Sequence, residues 1–381
     1  MGTITSNISS TLNGSTEFTV GTETYQWFNR SLDYLDVTAS GGTVRTATLT
    51  FSGEAWTAGI LRFTGSTRAV INDTTTGTTD ADRVFIQYIS TTNSAENVIT
   101  LKNAEVDIIY GGGIEKVTIG YWVSQLNLNR GDDEVSVVGM GEAGDISLGR
   151  GNDILKTASG RIGTVTAAQG MDKVYLGKGG ADYINLGKDA DWIKVAKLAD
   201  KTQQVVLNGG EGVDESTGKD SDSIVFAAFT KALTIDLNGQ YAVKTGSGDF
   251  HIHNFENAMG GSGKDKLIAS VDANIFSGDE GADTFVFKSR TAANGDKILD
   301  FSRSEKDRID LSVIDASTKS SGGQAFTFIG KAGFHDKAGE LRYEVKSGDT
   351  RIQGDVNGDG VADFTITIDA SLTLKSGDFL L

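Results

Sequence analysis

A nine-residue beat of glycine and aspartate constrains this chain more than any other feature. Residues 260–286 read GGSGKDKLI-ASVDANIFS-GDEGADTFV. Gly260, Gly263, Asp265 and Leu267 recur eighteen residues later as Gly278, Gly281, Asp283 and Phe285. The middle unit loses its glycines and keeps Asp272, Asn274 and Phe276. A repeat of the form GGxGxDxUx, where U is a large apolar residue, is the signature of a calcium-loaded parallel β-roll. Each glycine-rich half makes a turn, and each xUx half makes a short strand with U pointing inward. Two units complete one coil, so Asp265 is expected to stack over Asp283. Stacked aspartates left unneutralised would repel one another. Carboxylates and turn carbonyls together suit a hard cation.

Upstream the same alternation continues with coils slightly longer than eighteen residues. Expected strand centres fall at Val98, Val106, Val117, Leu126, Val135, Ile146, Ile154, Val165, Val174, Ile184 and Ile193. Alternate members step by 18 to 20 residues, as two faces of one solenoid would. Asp133, Asp153, Asp172 and Asp191 lie 19 or 20 apart, inside LNRGDDEVS, LGRGNDILK, AAQGMDKVY and LGKDADWIK, and should form one column along a single edge. Asp182, in GKGGADYIN, belongs to the opposite edge, and Asp214, in GGEGVDEST, has the loop but a weak strand after it. These units are eroded relative to the 260–286 run. A solenoid buries its apolar rows only against neighbouring coils, so the array stands or falls as a stack.

The expected class is therefore all-β: a parallel β-roll or β-solenoid with calcium-binding nonapeptide turns. Its expected organisation is an N-terminal Thr-rich β region over 1–95, a solenoid over 96–215, a continuing roll over 216–287 and a C-terminal β cap over 288–381. In 1–95 the alternation of Val44–Phe51 reads as antiparallel or edge strands. Trp27, Phe28 and Trp56 there read as packing residues, with a carbohydrate platform as the alternative. Over 216–259, Ile224–Phe226, Leu233–Leu237 and His251–Phe255 read as three further strands. His251 and His253 share a strand face with no third ligand in view, which reads as paired surface imidazoles.

Composition narrows the function. The formal charge is −16, with no lysine before Lys102, which argues against nucleic acid and anionic membrane surfaces as partners. No cysteine is present, so neither disulfides nor thiol chemistry contribute. Proline is absent too, where average usage is about 5 %; continuous ladders exclude it because it lacks a donor N–H. The start, MGTITSNISSTLNGSTEF, has neither the basic nor the apolar region of a secretory leader, so any export address is expected elsewhere. No run approaches eighteen apolar residues, so no membrane-spanning helix is expected.

Asp355, Asn357 and Asp359 precede Gly360 at the spacing that opens an EF-type loop, with Asp363 at its ninth place. Place twelve is Ile366, so the bidentate glutamate is missing, and either a calcium site or a metal-free Asx turn suits the stretch.

From Gly260 onward the chain resembles the RTX calcium-binding repeat proteins exported by bacterial type I secretion. Its last third resembles the C-terminal domain of serralysin-type metalloproteases. The residues that carry this are GADTFVF (281–287), GDKILDF (295–301), DRIDLSVID (307–315), FTFIG (326–330), AGELRY (338–343) and QGDVNGDGVADF (353–364). The resemblance implies an uncleaved C-terminal secretion signal, matched by Asp378-Phe379-Leu380-Leu381, and export from a Gram-negative bacterium with type I machinery as a partner. Deleting these four residues is then expected to block export and leave folding largely intact. No H-E-x-x-H is present, and three histidines cannot supply one. No G-x-S-x-G elbow or P-loop is present either. The expectation is therefore no enzyme. It is a secreted protein that binds several calcium ions and assembles with itself into a cell-surface layer (S-layer) or biofilm matrix, with outer-membrane lipopolysaccharide or glycan as a further partner. The alternatives are a calcium-dependent adhesin or lectin and, behind it, a β-solenoid polysaccharide lyase or epimerase, for which no convergent acid/base set is found.

Overall fold

The computed structural model describes residues 4–9, 14–20, 23–29, 31–39, 45–51, 56–75, 83–93, 95–210, 212 and 220–381. They fold into strands and turns, with two single-turn 3-10 segments, Thr291–Ala293 and Ser376–Asp378, and no α-helix among them. The chain divides into two compact units, the first built mainly from residues up to Trp192 and the second mainly from Ser221–Leu381.

In the first unit, parallel strands alternate between two sheets. One sheet runs Ser31–Ala39, Trp56–Gly65, Val84–Thr91, Ala104–Gly111, Trp122–Asn127, Glu142–Arg150, Ile162–Gln169 and Ala181–Lys188, each hydrogen-bonded to the next. The other runs Arg45–Phe51, Thr67–Asp73, Glu96–Leu101, Ile114–Ile119, Glu134–Val137, Ile154–Lys156 and Lys173–Leu176. Register places one aliphatic row through each sheet. The first is Leu35, Leu61, Ile89, Ile109, Leu126, Ile146, Val165 and Ile184. The second is Leu49, Ile71, Ile99, Val117, Val135, Leu155 and Val174. Every member is buried. Each such side chain contributes about 1.5–3 kcal/mol of transfer free energy.

Two of the expected strand centres are displaced by one residue. Ile99 and Leu155 are the buried residues, while Val98 and Ile154 are half-exposed. Both pairs are adjacent aliphatics, where alternation cannot say which points inward, and a one-residue slip exchanges the faces. Val106 is buried but lies in register with Val123, so Leu126 continues the row of Ile109.

The parallel coils also reach back into the Thr-rich stretch. Antiparallel pairing occurs there in Ile4–Ser9 with Ser31–Ala39, and in Gly14–Val20 with Glu23–Asn29 and Arg45–Phe51. From Ser31 onward the remaining pairings in this unit are parallel, with coils of 22 to 28 residues before the shorter ones begin. The side chains of Trp27, Phe28 and Trp56 lie outside the described residues.

The second unit is a tighter roll. One stack pairs Ser223–Val225, Asn257–Met259, Ile275–Ser277, Lys297–Ile298 and Phe364–Ile368 in parallel. The other pairs Thr234–Asp236, Lys266–Ile268, Thr284–Val286, Arg308–Asp310 and Phe379–Leu380. Leu267, Phe276 and Phe285 point inward and are fully buried, and Phe276 and Phe285 pack with ring centroids 6.3 Å apart. The three strands expected over 216–259 are present; the first two join the roll, and the histidine strand Asp249–His253 pairs in parallel with Gln204–Gly210. Glu340–Lys346, Asp349–Asp355 and Phe364–Ile368 form an antiparallel meander.

The C-terminal tetrapeptide is part of this architecture. Phe379–Leu380 is the last strand of its stack, Phe379 is buried against Phe328 at 5.0 Å, and both Asp378 carboxylate oxygens accept from Arg303 Nε at 2.9 Å. The expectation that this tail can be removed without cost to folding is therefore corrected. Deleting residues 378–381 removes a buried aromatic ring and a charge-assisted pair. Truncation is expected to destabilise the second unit by about 3–5 kcal/mol, the cost of removing a buried phenylalanine. An unchanged denaturation midpoint in calcium would contradict this.

Candidate metal centre

The repeat aspartates form ladders in which each carboxylate caps the coil before it. In the first unit Asp133 Oδ1 accepts the Glu115 N–H at 2.6 Å, Asp153 Oδ1 that of Asp133 at 2.8 Å, Asp172 Oδ1 that of Asp153 at 2.7 Å, and Asp191 Oδ1 that of Asp172 at 2.7 Å. The turn explains why. After the inward U residue the chain must reverse, and glycine at positive φ lets successive turns nest: Gly131, Gly151 and Gly170 have φ of 119°, 136° and 120°. A Cβ on any of them would collide with the carbonyl oxygen of the matching glycine one coil earlier. The strand that follows begins with an N–H facing the next coil's aspartate.

All four aspartates are buried. One oxygen of each is committed to the ladder, and Oδ2 of Asp133, Asp153 and Asp172 is buried with no hydrogen-bond partner. An orphaned, buried carboxylate oxygen is costly unless something positive meets it. Desolvation accordingly dominates the titration: burial pushes Asp133 up to about 8, Asp153 to about 6, Asp172 to about 9 and Asp191 to about 7. The N–H each accepts pulls the other way.

Sequence reading missed the first rung. Glu115 is fully buried; its Oε1 accepts from Asn97 Nδ2 at 2.8 Å, Thr91 Oγ1 at 3.1 Å and the Gly113 N–H at 3.2 Å, while Oε2 has no partner. The signal was GGGIEKVTI (111–119), a repeat unit with glutamate where aspartate was sought.

The second unit repeats the device. Asp265 Oδ1 accepts the Leu233 N–H, Asp283 Oδ1 that of Asp265 and Asp307 Oδ1 that of Asp283, at 2.7, 2.7 and 2.8 Å. In the alternate turn Asp296 Oδ1 accepts the Asn274 N–H at 2.9 Å. Asp283 and Asp296 keep a buried, unpartnered Oδ2, and burial pushes both up to about 7; Asp265 and Asp307 are raised for the same cause. Gly260 and Gly278 stand against Asp265 Oδ2 and Asp283 Oδ2, so that a Cβ on either would occupy the space in front of the carboxylate. Asp296 and Asp307 escaped the eighteen-residue count because their coils are 22 and 24 residues long.

The other sequence candidates sit differently. Asp182 is exposed and paired with Arg161. Asp272 is exposed, Asn274 is buried with Oδ1 on the Ser270 N–H at 2.8 Å, and Asp214 lies outside the described residues. In the 355–363 loop, Asp355 accepts the N–H groups of Gly358 and Gly360 at 2.6 and 2.9 Å. Asp363 Oδ2 accepts those of Val356 and Asn357 at 2.7 and 3.2 Å. These are the contacts of an Asx-type turn; Asn357 Oδ1 alone is buried without a partner, and Asp359 accepts the Val361 N–H at 2.9 Å. Neither His251 nor His253 joins a metal-type cluster among the described residues.

The side-chain donors along both ladders are carboxylate oxygens throughout. Such a set suits a hard divalent cation, and among these residues there is none of the imidazole or thiolate that zinc sites usually include.

A parallel roll with buried acidic turns defines a class, the RTX-type β-roll. Residues 212–381 match the family model for the Peptidase M10 serralysin C terminal. The match covers under half of the chain, and residues 1–211 lie outside it. No curated protein matches the chain. No helix among the described residues is long and apolar enough to cross a membrane.

Proposed function

We propose that this is a secreted, non-enzymatic β-roll protein that calcium folds and that assembles with itself into a cell-surface layer or extracellular matrix. The observation that supports it most is the run of buried carboxylates, each with an oxygen on a backbone N–H. The second oxygen of Asp133, Asp153, Asp172, Asp283 and Asp296 meets no hydrogen-bond donor and is left for a cation, while Oδ2 of Asp265 and of Asp307 accepts a further N–H, from Gly261 and Ser302. In this reading Asp133, Asp153, Asp172 and Asp191 hold ions in the first unit, and Glu115 joins them. Asp265 and Asp283, with Gly260, Gly263, Gly278 and Gly281 giving room, hold them in the second, and Asp296 and Asp307 join there. Asp355, Asn357, Asp359 and Asp363 are a further candidate, which would have to exchange its backbone hydrogen bonds for an ion. Export through type I machinery follows from the resemblance of the C-terminal domain.

Assembly follows from the architecture. In-register coils present the same chemistry every strand spacing, about 4.8 Å. Repeated heterologous contacts between such faces propagate instead of closing. Electron microscopy at millimolar calcium is expected to show periodic sheets or fibres that dissolve in chelator. Monodisperse particles under the same conditions would favour the second reading, a calcium-dependent adhesin for surface glycan.

A further inference from the structure

We propose that the first unit carries a binding strip for an acidic polysaccharide, a polymer with carboxylates along a hydroxylated chain. This deepens the surface-associated reading above by naming the chemistry of the partner.

At the end of the first sheet, Arg130 pairs in parallel with Arg150, Arg150 with Gln169, and Gln169 with Lys188. Backbone register holds them one coil apart, about 4.8 Å, and Arg130, Arg150 and Lys188 are all exposed. Like charges directly opposite on neighbouring strands destabilise a sheet. In a chain of net charge −16, carboxylates could have relieved this, and elsewhere on the unit they do: Lys116 pairs with Glu96, Lys156 with Glu134 and Arg161 with Asp182. Arg130, Arg150 and Lys188 have no ion-pair partner among the described residues. The acid nearest Arg130 in sequence, Asp132, turns its Oδ1 to the Asn152 N–H at 2.8 Å, and Asp189, beside Lys188, has its Oδ2 on the Gly170 N–H at 3.3 Å. Two guanidiniums in register are a geometry that an external carboxylate completes, because each offers a planar fork of donors.

The neighbouring column argues for sugar. Three residues before Arg130, Arg150, Gln169 and Lys188, in the same register, stand Asn127, Ser147, Thr166 and Asn185, preceded by Tyr110. All are at least partly exposed, and Tyr110 is exposed enough to offer a ring edge or face. A row of amides and hydroxyls ending in an aromatic ring matches a polyhydroxylated chain. It does little for a lipid headgroup, and three cations on so acidic a protein are few for a nucleic acid.

The test is binding of the folded full chain, dispersed in calcium, to low-molecular-weight hyaluronate, with neutral dextran, anionic phospholipid vesicles and single-stranded DNA as comparisons. Hyaluronate is expected to bind, dextran not to, and affinity to fall as sodium chloride is raised. Arg130→Gln with Arg150→Gln is expected to lose about tenfold or more in affinity and Lys188→Gln less, while Lys116→Gln with Lys156→Gln binds as the parent does. Circular dichroism confirms that each variant folds, which separates this result from failure of the calcium-folding reading. Unchanged affinity in the double arginine variant, equal binding of dextran, no binding of hyaluronate, or preference for vesicles or DNA would each overturn the strip.

Discussion

Stripped of divalent cations at pH 9, the chain is expected to lose most of its β-sheet signal, and to recover part of it at pH 5 with no metal present. The reason is the sign of the titration. Burial raises the ladder carboxylates, Asp172 to about 9, Asp133 to about 8, Asp283 and Asp296 to about 7 and Asp153 to about 6. A carboxyl whose folded value lies above its unfolded one takes up a proton on folding. Its contribution is complete below the unfolded value, about 3.9, and is lost as pH rises through the folded values, here between about 6 and 9. Each unit corresponds to about 1.4 kcal/mol. Several such groups ionised together therefore oppose a net domain stability of only about 5–15 kcal/mol. Calcium removes the problem by another route, since it neutralises the same oxygens without a proton. An ion at a hundred times its dissociation constant adds about 2.7 kcal/mol per site, and extracellular sites of this sort bind at roughly 0.1–1 mM. In millimolar calcium the fold should therefore persist at pH 9. Far-ultraviolet circular dichroism across pH 5–9, in chelator and in calcium, reads this directly. A chelated protein equally folded at both pH values would refute it.

Asp153→Ala is expected to cost about 4 kcal/mol in calcium, and Asp182→Ala less than about 1. Asp153 is fully buried and supplies the acceptor for the Asp133 N–H. Its loss orphans that donor, at about 1–3 kcal/mol, and removes an ion whose binding adds about 2.7 kcal/mol at high saturation. Asp182 is exposed and holds only a surface pair with Arg161, a class worth about 0–1 kcal/mol. Asp153→Asn separates the two causes. The amide keeps an acceptor for the Asp133 N–H but carries no charge, so this variant should be more stable than the parent in chelator at pH 9 and gain less from calcium. Denaturant midpoints with and without calcium measure all three. Equal losses for Asp153→Ala and Asp182→Ala would show that the ladder carries no special weight.

The nine-residue beat by itself determined the alternation of turn and strand, the inward place of Leu267, Phe276 and Phe285, and the alignment of Asp133, Asp153, Asp172 and Asp191, because equal coils put equal positions on one edge. Packing alone decided which of Val98 and Ile99, or of Ile154 and Leu155, faces the core, since two adjacent aliphatics satisfy either register until the neighbouring coil is present. Coil length hid Asp296 and Asp307: loops of four and six extra residues break the count yet close the coil at little entropic cost. Glu115 stood one methylene away from the aspartate pattern, and only the network of Asn97, Thr91 and Gly113 around it shows it as a rung. The tail looked like a bare export address; Arg303, 75 residues earlier, and Phe328 make it a strand. Local repeats are legible because they recur along the chain, whereas pairings between distant, unrepeated residues exist only once the backbone has brought them together.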